Sequence, residues 1–292
     1  MYRHLLGGLL ITLAMVLFSL VGPFVRHINV PPLVIVFHTC FFSTLLLFLL
    51  FVAQGGLKKL YLQHSRLLVV LSAFLVLGNV YCYYKAFIAT TMANAVLSHY
   101  TAPVFAALLA PFILNERLKK MTVFSLAVSM GGLFLIASED ITFRSDHAGG
   151  IVYGVLSGFF YGVSILISKK ILRTIKPAVL LLWQCVITVA ALTPMVGTLS
   201  YTINATTLML LFVYTIVVSL CAVFIYLTGL ARVDGQHAAI LAYAEPVMVV
   251  LIGILFYNET PSFKVYAGGL CIILSGFLIL RAEARKELSV YR

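Results

Sequence analysis

Residues 83–116 read YYKAFIATTMANAVLSHYTAPVFAALLAPFILNE, and residues 226–259 read YLTGLARVDGQHAAILAYAEPVMVVLIGILFYNE. The two stretches align without a gap at an offset of 143 positions. The matched pairs include Tyr83 with Tyr226, Tyr100 with Tyr243, Pro103 with Pro246, and Glu116 with Glu259. A repeat of this length indicates the architecture before any local pattern is considered. The chain consists of two copies of one unit, which we place at residues 1–140 and 141–292.

The composition indicates that lipid surrounds most of the chain. Of its residues, 62% are hydrophobic and 10% are charged, against roughly 45–50% and about 25% in soluble domains. The net charge of +11 comes from basic residues in short clusters between apolar runs. Nucleic-acid binding requires a basic face instead, so we exclude it.

The five cysteines, Cys40, Cys82, Cys185, Cys221 and Cys271, all lie inside apolar runs and have no metal-ligand spacing. They are best interpreted as small buried hydrophobic residues. We therefore expect no metal site and no cofactor. The first apolar run lacks a small-residue cleavage site, which favours a retained helix over a cleaved signal peptide.

A membrane-spanning helix needs roughly 20 mainly apolar residues. The sequence predicts ten, near residues 5–25, 32–53, 67–88, 93–114, 120–138, 148–168, 178–198, 207–230, 237–257 and 263–281. The predicted fold class is an all-α membrane protein with five helices in each repeat.

The distribution of lysine and arginine predicts the orientation. Sixteen of the 20 basic residues fall at the N-terminus, the C-terminus and the loops after the even-numbered helices. Because basic residues accumulate in cytoplasmic loops, we expect a multi-pass protein of the cell (inner) membrane with both termini in the cytoplasm.

Five helices is an odd number, so the second repeat enters the bilayer from the opposite face. Inverted repeats of this kind are typical of secondary transporters, which bind their substrate near the midplane where the repeats meet. The symmetry provides two similar packings, each open to one side.

Two five-helix halves and the pattern Y-x-x-P…N-E closing the fourth and ninth helices resemble the drug/metabolite transporter superfamily, and its EamA-type branch most closely. In this sequence the pattern appears as Tyr100–Pro103 with Asn115–Glu116, and as Tyr243–Pro246 with Asn258–Glu259. The resemblance implies ten helices around a central cavity lined by helices 1, 3, 4, 6, 8 and 9. It also implies transport of amino acids, amines, nucleotide-like metabolites or drugs.

Glu245 is the strongest candidate for a working residue, because it lies near the bilayer centre where a carboxylate costs about 2.5–3.5 kcal/mol. We expect it to couple transport to protons or to attract a substrate cation. The structural alternative is a protonated carboxyl bonded to a neighbouring helix. The first repeat has Ala102 at the matching position.

Lys85 and His99 are further candidates for ligand binding. Lys85 is close enough to the end of its helix to snorkel outward, or it binds a substrate carboxylate. His99 either bridges a close helix contact through a hydrogen bond or serves as a proton relay or substrate contact.

Tyrosines offer apolar ring faces and hydroxyl tips that suit an amphipathic solute. We place Tyr83, Tyr100, Tyr161 and Tyr243 among the ligand-binding candidates. For Tyr83 and Tyr226, near opposite helix ends, the sequence also allows the interfacial tyrosine belt.

Pro103 and Pro246 occupy matched positions that we read as helix interiors, so each is expected to kink its helix and to act in a paired hinge. Glu116 lies at a helix C-terminus, where negative charge is unfavourable. It should therefore have a basic or backbone partner, with Lys119 and Lys120 as candidates.

The sequence thus predicts a secondary transporter that exports or exchanges a small amphipathic metabolite. An amino acid or amine, with proton coupling, is favoured over a nucleotide-like metabolite or drug, and a membrane scaffold is the remaining alternative. No catalytic constellation is present, so we do not expect an enzyme. The pattern specifies neither the oligomeric state nor the direction of flux.

Overall fold

The computed structural model describes residues 3–62, 65–138, 148–257 and 260–290. Its α-helices are α1 Arg3–Phe18, α2 Val21–His27, α3 Pro32–Ala53, α4 Arg66–Ala89, α5 Met92–His99, α6 Ala102–Leu114, α7 Lys120–Ala137, α8 Ala148–Ile171, α9 Pro177–Val196, α10 Ala205–Tyr214, α11 Val223–Leu230, α12 Gly235–Leu241, α13 Ala244–Tyr257 and α14 Phe263–Val290. A 3₁₀ turn covers Leu57–Leu60, and a π-helical segment, Thr215–Ala222, joins α10 to α11.

These helices form ten apolar segments long enough to cross a membrane, which we number spans 1 to 10. They are His4–Val25, Pro32–Ala53, Arg66–Ala89, Asn94–Leu114, Lys120–Ala137, Ala148–Ile171, Pro177–Val196, Ala205–Leu230, Gly235–Phe256 and Phe263–Ala282. The predicted ten-helix fold is confirmed, with every end within three residues of the sequence-based estimate. The proposed repeat boundary at 140/141 and the Asn258–Glu259 motif lie outside the described residues.

The outer surface is apolar, as lipid contact requires. Large side chains such as Phe112, Leu255 and Phe277 are 83%, 72% and 59% exposed. Five spans per repeat place the two repeats in opposite directions across the bilayer. We call the side on which span 1 begins the basic face, because Lys58, Lys119 and Lys170 lie there, and the other side the opposite face.

The two repeats interlock rather than lie side by side. The first span of the second repeat, α8, packs against α4, α5 and α6 of the first repeat. In the same way, α1 packs against α11, α12 and α13 of the second repeat. Each repeat therefore receives the other's first span, and the junction between them includes spans 1, 3, 4, 6, 8 and 9.

Small residues allow α8 to approach its neighbours closely. Its glycines recur every fourth residue, at Gly150, Gly154, Gly158 and Gly162. A Cβ at Gly162 would lie 2.6 Å from the carbonyl oxygen of Ala102. Such small-residue spacing is a recurrent way to bring helix backbones together in lipid.

Spans 5 and 10 pair through a second set of small polar residues. Ser129 Oγ donates to Ser275 Oγ at 2.6 Å, and Ser275 Oγ donates to the carbonyl of Ser125 at 2.7 Å. A Cβ at Gly132 would lie 2.6 Å from the carbonyl oxygen of Gly268. This contact joins the last span of one repeat to the last span of the other.

Spans 4 and 9 are broken at matched places. Span 4 changes from α5 to α6 across Tyr100–Thr101, and span 9 changes from α12 to α13 across Ala242–Tyr243. Span 8 contains the π-helical segment, in which the helix is locally wider and less tightly wound than an α-helix, a feature that is frequent at functional sites. All three irregularities lie in spans at the junction of the repeats.

We expect Gly162→Ala to lower the melting temperature of the purified protein by several degrees. The added Cβ meets backbone atoms that cannot move aside, and overpacking of this kind costs about 1–3 kcal/mol. Gly149→Ala is the matched control, because a Cβ at Gly149 in the same helix has nothing within 4 Å. Equal melting temperatures for the two variants would contradict the close packing of α8 against α6.

Candidate functional site

Tyr100 and Tyr243 meet at the centre of the junction. Their rings are 5.6 Å apart at 25°, and the Tyr243 hydroxyl donates to the Tyr100 carbonyl at 2.8 Å. The two residues are 143 positions apart, which is the offset of the repeat. Because a residue that touches its own counterpart must lie next to the symmetry axis, the pseudo-twofold axis passes between these two rings.

The prolines do not lie in helix interiors, which corrects the expectation from the sequence. Pro103 is the second residue of α6, and Pro246 is the third residue of α13. A proline in the first turn fits there because the first N–H groups of a helix have no intrahelical acceptor. The helices are therefore interrupted rather than kinked, and the interruption leaves the Tyr100 carbonyl free to accept from Tyr243. A hinge role for Pro103 and Pro246 remains a prediction.

Glu245 follows Tyr243 in the first turn of α13 and is partly buried. Its carboxylate lies next to the Tyr100 hydroxyl. Tyr83, Tyr161 and Tyr214 lie within electrostatic range of the same carboxylate. No other acidic residue occurs within the ten spans.

His99 stacks against two tyrosines. The centroid of its ring is 4.2 Å from that of Tyr83 at 27°, and 5.3 Å from that of Tyr161 at 14°. Its Nδ1 is 2.7 Å from Ser157 Oγ on α8. His99 thus contacts spans 3 and 6 from span 4. Its Nδ1 makes the hydrogen bond across a close helix contact that was one of the two roles expected from the sequence.

The sequence allowed Tyr226 to be an interfacial belt residue, but the structure buries it. Its side chain is 7% exposed and packs edge-on against Phe18. Its hydroxyl lies next to that of Tyr161, but in the described part of the chain it has no partner with good hydrogen-bond geometry. A buried hydroxyl in this condition is available to a ligand or an ordered water.

We call Tyr83, Tyr100, Tyr161, Tyr226 and Tyr243, together with His99, the tyrosine cluster. With Glu245 and Phe18 they come from spans 1, 3, 4, 6, 8 and 9. Tyr83, Tyr161 and Glu245 keep part of their surface accessible. The cluster therefore offers aromatic faces, hydroxyl groups and one carboxylate, a combination suited to an amphipathic cation.

The described contact of Lys85 is with a residue outside the tyrosine cluster. Its Nζ is 5.7 Å from the ring centroid of Tyr81, which is 39% exposed. The described contacts of Lys85 therefore agree with an outward-directed side chain rather than with a substrate-binding one, and its ligand role remains a prediction.

The repeats are also joined at the basic face, through Glu116. One oxygen of its carboxylate accepts from the Gly235 N–H at 2.8 Å, and the other accepts from the Gln236 N–H at 3.4 Å. Arg173 donates in turn to the Leu114 carbonyl at 3.0 Å. The sequence analysis expected either a basic side chain or backbone groups as the partner of Glu116. The structure shows that the partner is the backbone of the other repeat. Burial raises the pKa of the Glu116 carboxyl above its usual value, and the two N–H groups oppose this shift.

Sequence reasoning missed Tyr214, Ser157 and the burial of Tyr226. The repeat carried a signal for Tyr226, since it is the counterpart of Tyr83. Among the described residues, no group of three or more His, Cys, Asp or Glu side chains is placed to hold a metal ion.

The comparisons with known proteins agree with this architecture. An uncharacterized transporter of Archaeoglobus fulgidus is 28% identical over 280 residues, which cover 95% of this chain and 97% of that protein. An S-adenosylmethionine uptake transporter of Rickettsia conorii is 26% identical over 251 residues, which cover 86% of this chain and 83% of that protein. A solved crystal structure has the same fold, with a TM-score of 0.82 at 19% identity over 94% of this chain and 97% of that one.

The sequence profile of the EamA-like transporter family matches residues 5–138 and again residues 148–281. Both repeats fit the profile separately, and together the two matches cover nearly the whole chain. The chain belongs to the EamA-like transporter family, within the drug/metabolite transporter superfamily.

Proposed function

We propose that this transporter moves a small amphipathic metabolite carrying an amine, such as an amino acid or a simple amine, and that Glu245 couples this movement to protons. Transport proceeds by alternating access as export or exchange. The tyrosine cluster with Glu245 is the binding site, and Pro103 and Pro246 mark the hinges.

The position of Glu245 carries this proposal. It is the one acidic residue in the ten spans, and it lies among tyrosines at the pseudo-twofold axis. A charge at this depth is retained for function more often than for packing. Aromatic faces around a carboxylate favour a ligand with positive charge through cation–π attraction. When no cation is bound, a proton on Glu245 would neutralise the same charge.

Alternating access is supported by the inverted repeats and by the contact at the basic face. Glu116 joins span 4 of the first repeat to the start of span 9 in the second. That contact closes one end of the junction, and opening the basic face requires that it break. We take residues 1–140 and 141–292 as the two units that move against each other.

The proposed orientation is supported by the charges near the ends of the spans. Lys58, Lys119, Lys120 and Lys170 lie at the basic face together with the start of α1. Under the positive-inside rule this face is cytoplasmic, so both termini lie in the cytoplasm of a cell whose inner membrane holds the protein.

A nucleotide-like metabolite is the second candidate, and the relatives favour it. Three rickettsial relatives, 24–26% identical over 251 residues, are named S-adenosylmethionine uptake transporters. That molecule combines a positive sulfonium, an ammonium group and a flat base. Stacked tyrosines beside a carboxylate are also suited to these three groups.

Glu245→Gln should lower substrate flux by about tenfold to a hundredfold, since a charge-assisted contact contributes about 1.5–3 kcal/mol. Proton movement driven by substrate should disappear as well. Both are measured in reconstituted vesicles carrying a pH-sensitive dye. Glu283→Gln is the chemically matched control, because residue 283 follows the last residue of the tenth span in the sequence. Wild-type flux and proton movement in Glu245→Gln would refute the role of Glu245.

A melting-temperature panel separates the two substrate classes. A ligand that prefers the native state raises the melting temperature. Primary amines and amino acids form one arm, and S-adenosylmethionine forms the other. S-adenosylhomocysteine is its control, because it lacks the sulfonium charge. We expect amines to stabilise the protein; a response to S-adenosylmethionine but not to S-adenosylhomocysteine or amines would favour the second candidate.

A further inference from the structure

His99 has only one edge left for a ligand. The rings of Tyr83 and Tyr161 both stack on the imidazole. The Nδ1 edge bonds Ser157 at 2.7 Å. Nε2 has no hydrogen-bond partner within the residues that the structure describes, so it is the atom that remains available.

The hydrogen bond from Ser157 continues to a third residue. Ser157 Oγ donates to Asn79 Oδ1 on α4 at 2.8 Å. A serine hydroxyl has a single proton, and the contact with Asn79 uses it. Ser157 Oγ can therefore only accept from His99, which places a proton on Nδ1 of the imidazole.

The charge state of His99 decides what Nε2 offers. The side chain is 8% exposed and has no carboxylate partner among the described residues, and burial without such a partner favours the neutral ring. A neutral imidazole carries one N–H. With that proton on Nδ1, Nε2 presents a lone pair and acts as an acceptor.

The other half of the molecule lacks this chain of hydrogen bonds. The repeat matches His99 with Ala242 and Asn79 with Ala222 at an offset of 143, and Ser157 with Met15 at the offset of 142 that aligns Gly7–Gly8 with Gly149–Gly150. All three counterparts are fully buried or nearly so. Buried apolar side chains occupy the matching positions of the other half, so the repeat accommodates apolar residues where this chain of hydrogen bonds lies.

We propose that Asn79 and Ser157 are positioning residues that hold the proton of His99 on Nδ1, so that Nε2 accepts a hydrogen bond from the transported molecule. The ligand class narrows accordingly to protonated amines that keep an N–H, as opposed to quaternary ammonium ions. The ligand part of this assignment rests on the proposed function; the tautomer does not.

The tautomer is tested by nitrogen NMR on protein labelled with ¹⁵N-histidine. The chain has seven histidines, and the His99→Gln spectrum identifies the signals of His99. In the wild type the unprotonated nitrogen should couple to both ring protons, as Nε2 does. If the wild-type spectrum shows the proton on Nε2 instead, Nδ1 must accept from Ser157, and the proposal is overturned.

Two variants test whether Asn79 and Ser157 set this tautomer. Ser157→Ala removes the acceptor, and Asn79→Leu frees the Ser157 proton to donate to Nδ1; both should move the ring proton of His99 to Nε2. Ser157→Thr keeps the hydroxyl and should retain the wild-type pattern. An unchanged tautomer in both Ser157→Ala and Asn79→Leu would overturn the positioning role.

The acceptor role is tested with 2-phenylethylamine and its N,N,N-trimethyl derivative, which has no N–H. For the same rise in melting temperature, the wild type should need a concentration of the primary amine about five- to tenfold lower than that of the trimethyl derivative. This ratio corresponds to the free energy of one hydrogen bond. Ser157→Ala should lose this preference. Equal responses of the wild type to both compounds would overturn the acceptor role. If neither compound acts, the amine assignment of the proposed function fails, whereas the nitrogen spectra still decide the tautomer.

Discussion

The contact between Tyr100 and Tyr243 is the interaction on which the rest of the structure depends. Both tyrosines lie where a membrane-spanning helix is interrupted, and the backbone groups freed there have no water to bond in the bilayer core. Tyr243 satisfies the Tyr100 carbonyl directly. Non-helical backbone at this depth is tolerated only within protein or beside a cavity, so the two breaks must meet inside the molecule.

The duplicated frame and the chemistry of the site have different origins in the sequence. Packing of the interlocked first spans and pairing of the last spans use small residues in both repeats. The polar groups are asymmetric, since Glu245 corresponds to Ala102 and Asn79 corresponds to Ala222. The symmetry of the repeats provides two similar packings. The differences between the repeats place the polar side chains of the site at positions whose counterparts are apolar. The Glu116 contact with Gly235 holds the basic end of that frame together.

The sequence predicted the ten spans and showed that Tyr100 and Tyr243 are counterparts in the repeat, because hydropathy and the repeat can both be read along the chain. It did not predict that the two residues are in contact. It did not predict the interruptions, since Pro103 and Pro246 within long apolar runs were interpreted as interior kinks. Contacts such as that of Ser157 with His99 depend on how each helix is rotated about its axis. Neighbouring helices set that rotation, which is also why the sequence did not settle the direction of Lys85 or the burial of Tyr226.

Distances between spin labels at the two membrane faces test the central claim, that the interlocked repeats open one face as they close the other. One pair, at Lys119 and Thr174, reports on the basic face, and the other, at Ile88 and Thr260, reports on the opposite face; all four positions are exposed or near a span end. Pulsed electron resonance is recorded for the otherwise wild-type protein and for Glu116→Ala, which lacks the contact with Gly235. The account predicts that the basic-face distance lengthens while the opposite-face distance shortens. A longer distance at the basic face with no change at the opposite face would contradict it.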